Sequence, residues 1–268
     1  MGSQIIDKKT NLFIVLAGIF ITNALLAEMI GTKIFSLEQT LGFNPAPINL
    51  LGEWVLDFNL TAGVVLWPVV FVTTDIINEY FGKQGVKKIS YLTVALISFA
   101  FIIITVVTWL SPAAFWMDIN AVDDKGHPFN IDYAFNKIFL QGAAIIVGSL
   151  VAFLVGQLLD VFVFHKLRKW TGSRYLWLRA TGSTLVSQLV DSFVVLFIAF
   201  YLLAAPESRW SIEQVVSVGT INYIYKFIVA VALTPILYMA HAIIDNYLGQ
   251  DKSETLMNEA AESSSGFF

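Results

Sequence analysis

The chain predicts an all-α, polytopic membrane protein, a bundle of six membrane-spanning helices with both ends in the cytoplasm. Three observations carry that prediction. Of 268 residues 57% are hydrophobic and only 13% are charged, about half the roughly 25% of an ordinary soluble domain. Six apolar runs have the roughly 20 residues needed to cross the hydrocarbon core. Basic residues gather in alternate connections.

The six runs are Leu12–Ile30, Leu60–Phe81, Val86–Leu110, Ile138–Phe164, Thr184–Ala205 and Val216–Ala240. None alternates polar with apolar as a barrel strand does. In lipid every backbone group must be paired within the segment, so each run is expected to be a helix. Placing the N-terminus inside puts Lys8, Lys9, Lys83, Lys87, Lys88, Lys166, Arg168, Lys169, Arg174, Arg179 and Lys252 on the cytoplasmic side. Lys33, Lys125, Lys137 and Arg209 fall outside, and Lys226 lies within the sixth run. An odd number of spans would spoil that asymmetry.

The reading divides the chain into a cytoplasmic N-terminus (1–11), a transmembrane domain (12–248) and a disordered cytoplasmic tail (249–268). The first apolar run is too long for a signal peptide and no cleavage site follows it. The outer connection 31–59, with Asn44-Pro45-Ala46-Pro47 and Trp54, is expected to lie against the membrane. The outer connection 111–137 is acidic, with Asp118, Asp123 and Asp124.

A charge at bilayer depth costs about 2.5–3.5 kcal/mol or more, so each polar residue inside a run asks for a reason. Four runs carry polar pairs one helical turn apart, which puts both members on one face. They are Asp75/Glu79, Gln157/Asp160, Gln188/Asp191 and Asn222/Lys226, and Asn23 and Glu28 add polar groups to the first run. The first three pairs fall in the cytoplasmic half. The alternative for Asp191 and Lys226 is a structural ion pair. For Asn23, Gln157 and Gln188 it is interhelical bonding, and for Asp75, Glu79 and Asp160 it is snorkelling to the interface. Ala144, Gly148, Ala152 and Gly156 form a small-residue stripe suited to close packing. Pro68 and Pro235 are expected to kink their helices.

Cysteine is absent and net charge is only −4, so nothing points to disulfides, thiol chemistry or a nucleic-acid partner. His127, His165 and His241 are scattered, without metal-ligand spacing. P-loop, His-Glu-x-x-His, Gly-x-Gly-x-x-Gly and Gly-x-Ser-x-Gly motifs are missing. The chain is read as a carrier and not an enzyme, with no cofactor or metal.

Thr74-Asp75-Ile76-Ile77-Asn78-Glu79-Tyr80-Phe81-Gly82, after Trp67-Pro68, resembles the signature of the queuosine precursor transporter family, within the vitamin uptake transporter group. So do Gly156-Gln157-Leu158-Leu159-Asp160-Val161-Phe162-Val163-Phe164 with the basic stretch behind it, and Arg179 with Ser183-Thr184 and Asp191-Ser192-Phe193. Asn222-Tyr223 with Lys226 completes the series, which spans roughly residues 20 to 245. The resemblance implies import of a 7-deazaguanine base (7-cyano-7-deazaguanine, 7-aminomethyl-7-deazaguanine or queuine) for tRNA queuosine salvage. It also implies a place in the inner or plasma membrane and a possible homodimer.

A guanine-like base offers donors for a carboxylate, an acceptor for Gln or Lys, and a flat ring for an aromatic slot. On that basis Asp191, Gln188, Asp160, Gln157, Asn222, Lys226, Asn23, Trp67 and Tyr223 are the expected substrate contacts. Asp75, Glu79, Arg179 and Glu28 are the expected gating or coupling groups. The competing readings are an importer of another small vitamin-like molecule and a non-transporting membrane scaffold.

Overall fold

A computed structural model describes residues 7–31, 33–45, 48–49, 55–56, 58–140, 143–172, 174–204 and 206–265. Trp54, Ala46, Pro47 and the side chain of Ala144 lie outside what it describes. The fold is helical, with α1 at Lys8–Ile30, α3 at Trp67–Thr108, α6 at Ala143–Thr171, α7 at Leu176–Leu196 and α8 at Ile212–Ala232. Five helical stretches among the described residues are long and apolar enough to cross a membrane. One of them is the 42-residue α3, and another is α7 with its π-helical continuation to Leu202.

A straight helix of 42 residues would be about 63 Å long, twice the hydrocarbon thickness. It is not straight. Gly82 leaves the helical conformation at φ 65°, ψ −170°, a region essentially reserved for glycine. The break falls between the second and third apolar runs, so α3 holds most of each.

Proline behaves differently from the sequence reading at one site and as expected at the other. Pro68 opens α3 in its first turn, where a missing N–H costs nothing, so it kinks no helix. The run assumed to begin at Leu60 instead starts with strand residues Asn59–Thr61 and a 3₁₀ turn, Ala62–Val65. Pro235 follows an interruption at Leu233 that separates α8 from α9, Thr234–Leu248.

The tail is the clearest departure. Gln250–Ser265 forms a helix, α10, instead of the expected disordered segment. Ser253, Leu256 and Ala260 lie one or two turns apart and are all buried, which makes a narrow stripe packed against α3. Tyr80 Oη donates to Asp245 Oδ1 at 2.7 Å, and Ser253 Oγ donates to the same oxygen. Those contacts bind α3, α9 and α10 together.

The chain ends also meet. Lys8 Nζ donates to the Tyr247 carbonyl at 2.7 Å, Asn11 Nδ2 to Tyr247 Oη at 3.2 Å, and Lys9 Nζ pairs with Glu259 Oε2 at 3.0 Å. At the opposite side lie two small antiparallel pairs. Ile34–Ser36 (β1) pairs with Asn59–Thr61 (β4), and Ile48–Asn49 (β2) with Val55–Leu56 (β3). Short helices Leu37–Thr40 (α2), Ala114–Ile119 (α4) and Ile131–Phe139 (α5) complete that side. In the loop between α4 and α5, backbone and side-chain hydrogen bonds from His127 hold the exposed Asp123 carboxyl below its usual range.

Burial runs opposite to a soluble protein's. Large apolar side chains such as Ile14, Phe99, Ile102, Phe162 and Ile228 stand exposed on the long helices, whereas Asp75, Asn78, Glu79, Asp160 and Arg179 are buried. An apolar exterior of that extent suits lipid as solvent.

Candidate functional site: a buried polar seam between helices

α6 and α7 run antiparallel in close contact, and the small-residue stripe is the reason. A Cβ on Gly148 would stand 3.1 Å from the Val195 carbonyl oxygen, and one on Gly156 would stand 3.6 Å from Asp191 Cβ. The two backbones therefore approach closely enough for short polar side chains to bridge them. The same register brings Asp160 opposite Ser183, Thr184 and Ser187.

Asp160 is the centre of the inner part of the seam. Ser183 Oγ donates to its Oδ1 at 2.9 Å, and Thr184 Oγ1 and Ser187 Oγ reach the same oxygen at 3.4 Å each. Asn78 Nδ2 donates to Oδ2 at 3.2 Å from α3. The Ser183 and Ser187 hydroxyls also stand 3.1 and 3.0 Å from the Ala180 and Thr184 carbonyls, so their single hydrogens are shared between backbone and carboxylate, and four neutral groups replace the water that a buried carboxylate has lost. Gln157, one turn away on α6, accepts from Thr74 Oγ1 at 3.4 Å.

Toward the start of α7 Glu79 meets Arg179 in a two-point contact, Nη2 to Oε1 at 2.7 Å and Nε to Oε2 at 3.0 Å. This is the fork geometry in which guanidinium and carboxylate bond most strongly. The third Arg179 nitrogen donates to the Gly172 and Arg174 carbonyls, fastening the α6–α7 turn. Arg168 adds a second guanidinium at 3.4 Å from Glu79 Oε1. It also donates to the Glu79 carbonyl, just before the Gly82 break, and to the Met257 carbonyl of α10. Of the two carboxylates one turn apart on α3, Glu79 and not Asp75 takes Arg179.

Deeper in the bundle Lys226 of α8 pairs with Asp191 Oδ2, and both side chains stay about one-fifth exposed. Asp191 lies over Gly156, so α6, α7 and α8 all meet there. Ser149 Oγ of α6 donates to Glu28 Oε1 of α1 at 2.5 Å. Gln188 is buried on α7 between the Asp160 and Asp191 levels. Arg179, Ser183, Thr184, Ser187, Gln188 and Asp191 trace a polar line along α7 from its start to its middle.

Asn23 spends its amide on the Ile19 carbonyl of its own helix at 2.8 Å. Trp67 packs with Phe71 and Phe153, at ring separations of 6.2 and 5.9 Å. Tyr223 meets Phe227 edge-on at 6.5 Å, and Asn222 is half-buried on α8. These four are not joined to the seam by any bond among the described residues. Asn78, Thr74, Ser187, Arg168 and Ser149 belong to it and escape a search for charges at helical spacing. Asn78 alone had a usable signal, since it stands in the same turn as Asp75 and Glu79.

Residues 61–240 match the profile of a family described as "Putative vitamin uptake transporter". The chain belongs to that family. It is 32% identical over 210 residues to a "Probable queuosine precursor transporter" of Bacillus subtilis, covering 77% of this chain and 83% of the relative. It is 28% identical over 185 residues to the "Queuosine precursor transporter" of Escherichia coli, covering 69% and 72%. A Haemophilus influenzae relative of the same description as the first is 27% identical over 177 residues, covering 66% of each. No solved structure matches. The family profile runs from the start of α3 to α9 and so takes in the whole α3–α6–α7–α8 seam, while α10 lies beyond it. A membership in a transporter family and several membrane-spanning helices make this a multi-pass membrane protein acting on a small molecule.

Proposed function

We propose that this protein imports 7-deazaguanine bases, precursors of queuosine, across the cytoplasmic membrane. The names of the relatives support the substrate class, and the Asp191–Lys226 pair is the observation that carries the reading. A guanine-like edge presents an acceptor, O6, beside two donors, N1–H and N2–H₂. An ammonium and a carboxylate side by side offer the complementary order. Lys226 donates to O6, and Asp191 accepts from N1 and N2. Their partial exposure leaves them accessible, whereas the Asp160 oxygens already accept four bonds. Gln188, Gln157 and Asn222 supply further polar contacts, Trp67 and Tyr223 a flat apolar wall, and Asn23 and Asp160 the flanks. Glu79 with Arg179 closes the cytoplasmic end and opens for release, and Glu28 tunes the ion pair.

In this reading α3 counts as two spans divided at Gly82, giving six. Contact between Lys9 and Glu259 supports an even number, because chain ends that touch lie on one side of the membrane. The basic residues put that side in the cytoplasm.

The test is uptake of labelled 7-cyano-7-deazaguanine by cells that cannot make it, carrying wild type, Asp191→Ala or Lys226→Ala at equal membrane expression. Strong loss in both variants is expected, and wild-type uptake in both would remove the pair from the site. The family's description leaves room for a different vitamin-like substrate. Failure of unlabelled deazaguanines to compete would favour that reading.

A further inference from the structure

Asp75 is the one carboxylate of the inner seam without a counterpart. It is 6% exposed, and no donor among the described residues reaches its Oδ1. Glu79, one turn on, has Arg179 and Arg168. Asp160 has Asn78 and three hydroxyls. Asp75 itself takes part in no ion pair among the described residues. Three carboxylates therefore share two guanidiniums, and both guanidiniums are committed to Glu79. A bare carboxylate at that depth acquires a positive partner or a proton.

The structure supplies a place for one. Asp75 lines a cleft between α3, α7 and the α8–α9 interruption, with room for about one water molecule. The polar walls are Thr181, Thr184 and Thr234, with Thr181 and Thr234 hydroxyls 3.0 Å apart. Phe71 and Leu237 are among its apolar walls, and no charge but that of Asp75 lines it. The space is far too small for a two-ring base. Its donors are all oxygens, the ligands that hard cations prefer, and interrupted membrane helices are where transporters hold coupling ions. Among the described residues no three His, Asp or Glu side chains converge as a metal centre requires, so a singly charged occupant fits best.

We propose that Asp75, with the Thr181, Thr184 and Thr234 hydroxyls, binds a small monovalent cation, Na⁺ or H⁺, whose inward gradient drives uptake. The binding stands on the cleft alone. The driving role rests on the transport reading above.

Purified full-length protein in nanodiscs, without any base, tests the site first. Its thermal unfolding is followed as choline is replaced by Na⁺ at constant ionic strength, and separately as the pH is lowered. A midpoint raised by Na⁺ assigns sodium, and one raised only by acid assigns a proton. Asp75→Asn loses the dependence in either case. Indifference of the wild type to both cations, or an unchanged dependence in Asp75→Asn, overturns the site. If Asp75→Asn does not fold, the wild-type response still decides, and Asp75→Glu displaces its midpoint concentration.

Proteoliposomes then test the coupling. An inward gradient of the assigned cation stimulates uptake of labelled 7-cyano-7-deazaguanine several-fold, and Asp75→Asn abolishes the stimulation while downhill exchange remains. Uptake that ignores every gradient overturns the driving role. Asp75-dependent stabilisation without movement of any base upholds the cation site and removes the substrate reading.

Discussion

Glu79 and Arg179, 100 residues apart in the chain, meet in a parallel two-point bond buried between α3 and the start of α7. Sharing one guanidinium fork ties α3 to α7 at the level where Gly82 interrupts α3. Removing one partner strands the other, which in a buried pair costs about 3–5 kcal/mol. Glu79→Ala and Arg179→Ala are each expected to lower the thermal midpoint sharply. The double variant Glu79→Ala with Arg179→Ala is expected to lose less than the two single losses added together, a non-additivity that a double-mutant cycle in detergent would measure.

Asp160 makes a different prediction because its partners are neutral. Asp160→Asn keeps the shape but places an amide where hydroxyl hydrogens converge. At least one donor loses its acceptor, at about 1–3 kcal/mol. The variant should reach the membrane with reduced stability and reduced uptake. Asp160→Leu should be worse, since it removes the acceptor of Asn78 and Thr184 and leaves Ser183 and Ser187 only their own backbone carbonyls.

For the Asp191–Lys226 pair, binding is the readout. Asp191→Asn and Lys226→Gln are each expected to weaken base binding by about 1–3 kcal/mol, roughly five- to 150-fold. A base lacking the exocyclic amine should lose affinity for the wild type but little for Asp191→Asn. Titration of binding by fluorescence or calorimetry would separate these cases.

Gly82 supplies a backbone test. At φ 65°, ψ −170° a Cβ is strained by about 1–3 kcal/mol. Gly82→Ala should lower folded yield and thermal stability without touching any polar group, whereas Gly18→Ala on the open face of α1 should leave both nearly unchanged.

The spans were legible in the sequence because hydrocarbon thickness imposes their length. Their ends were not, since Pro68 reads the same inside a helix as at its start. Polar pairs at helical spacing pointed to Asp160, Glu79, Asp191 and Lys226, which the structure places in polar contacts between helices. Ser183, Thr184 and Ser187 gave no such sign, because a hydroxyl in a membrane helix usually bonds its own backbone, as Ser183 and Ser187 also do here, and only the antiparallel register brings all three beside Asp160. Asn23 shows the reverse. Its amide looked like a site residue and is satisfied within α1. α10 escaped notice because its stripe is three small or medium side chains amid Glu, Ser and Asn.

Removing α10 is therefore informative. A chain ending at Gly249 loses the Arg168–Met257 and Ser253–Asp245 bonds and uncovers Leu256's contact surface on the core. Lower thermal stability is expected, with a change in uptake if release at the Glu79–Arg179 end depends on this cover. Comparing melting and uptake of the truncated and full chains checks both.

The touching of Lys9 with Glu259 makes the molecule nearly a closed loop. A short peptide joining the two ends would leave every helix where it stands, so a circularly permuted chain cut in the exposed loop near Gly126 could still assemble. Dyes placed at the two ends would stay within energy-transfer range of each other and would register any swing of the tail helix away from α3.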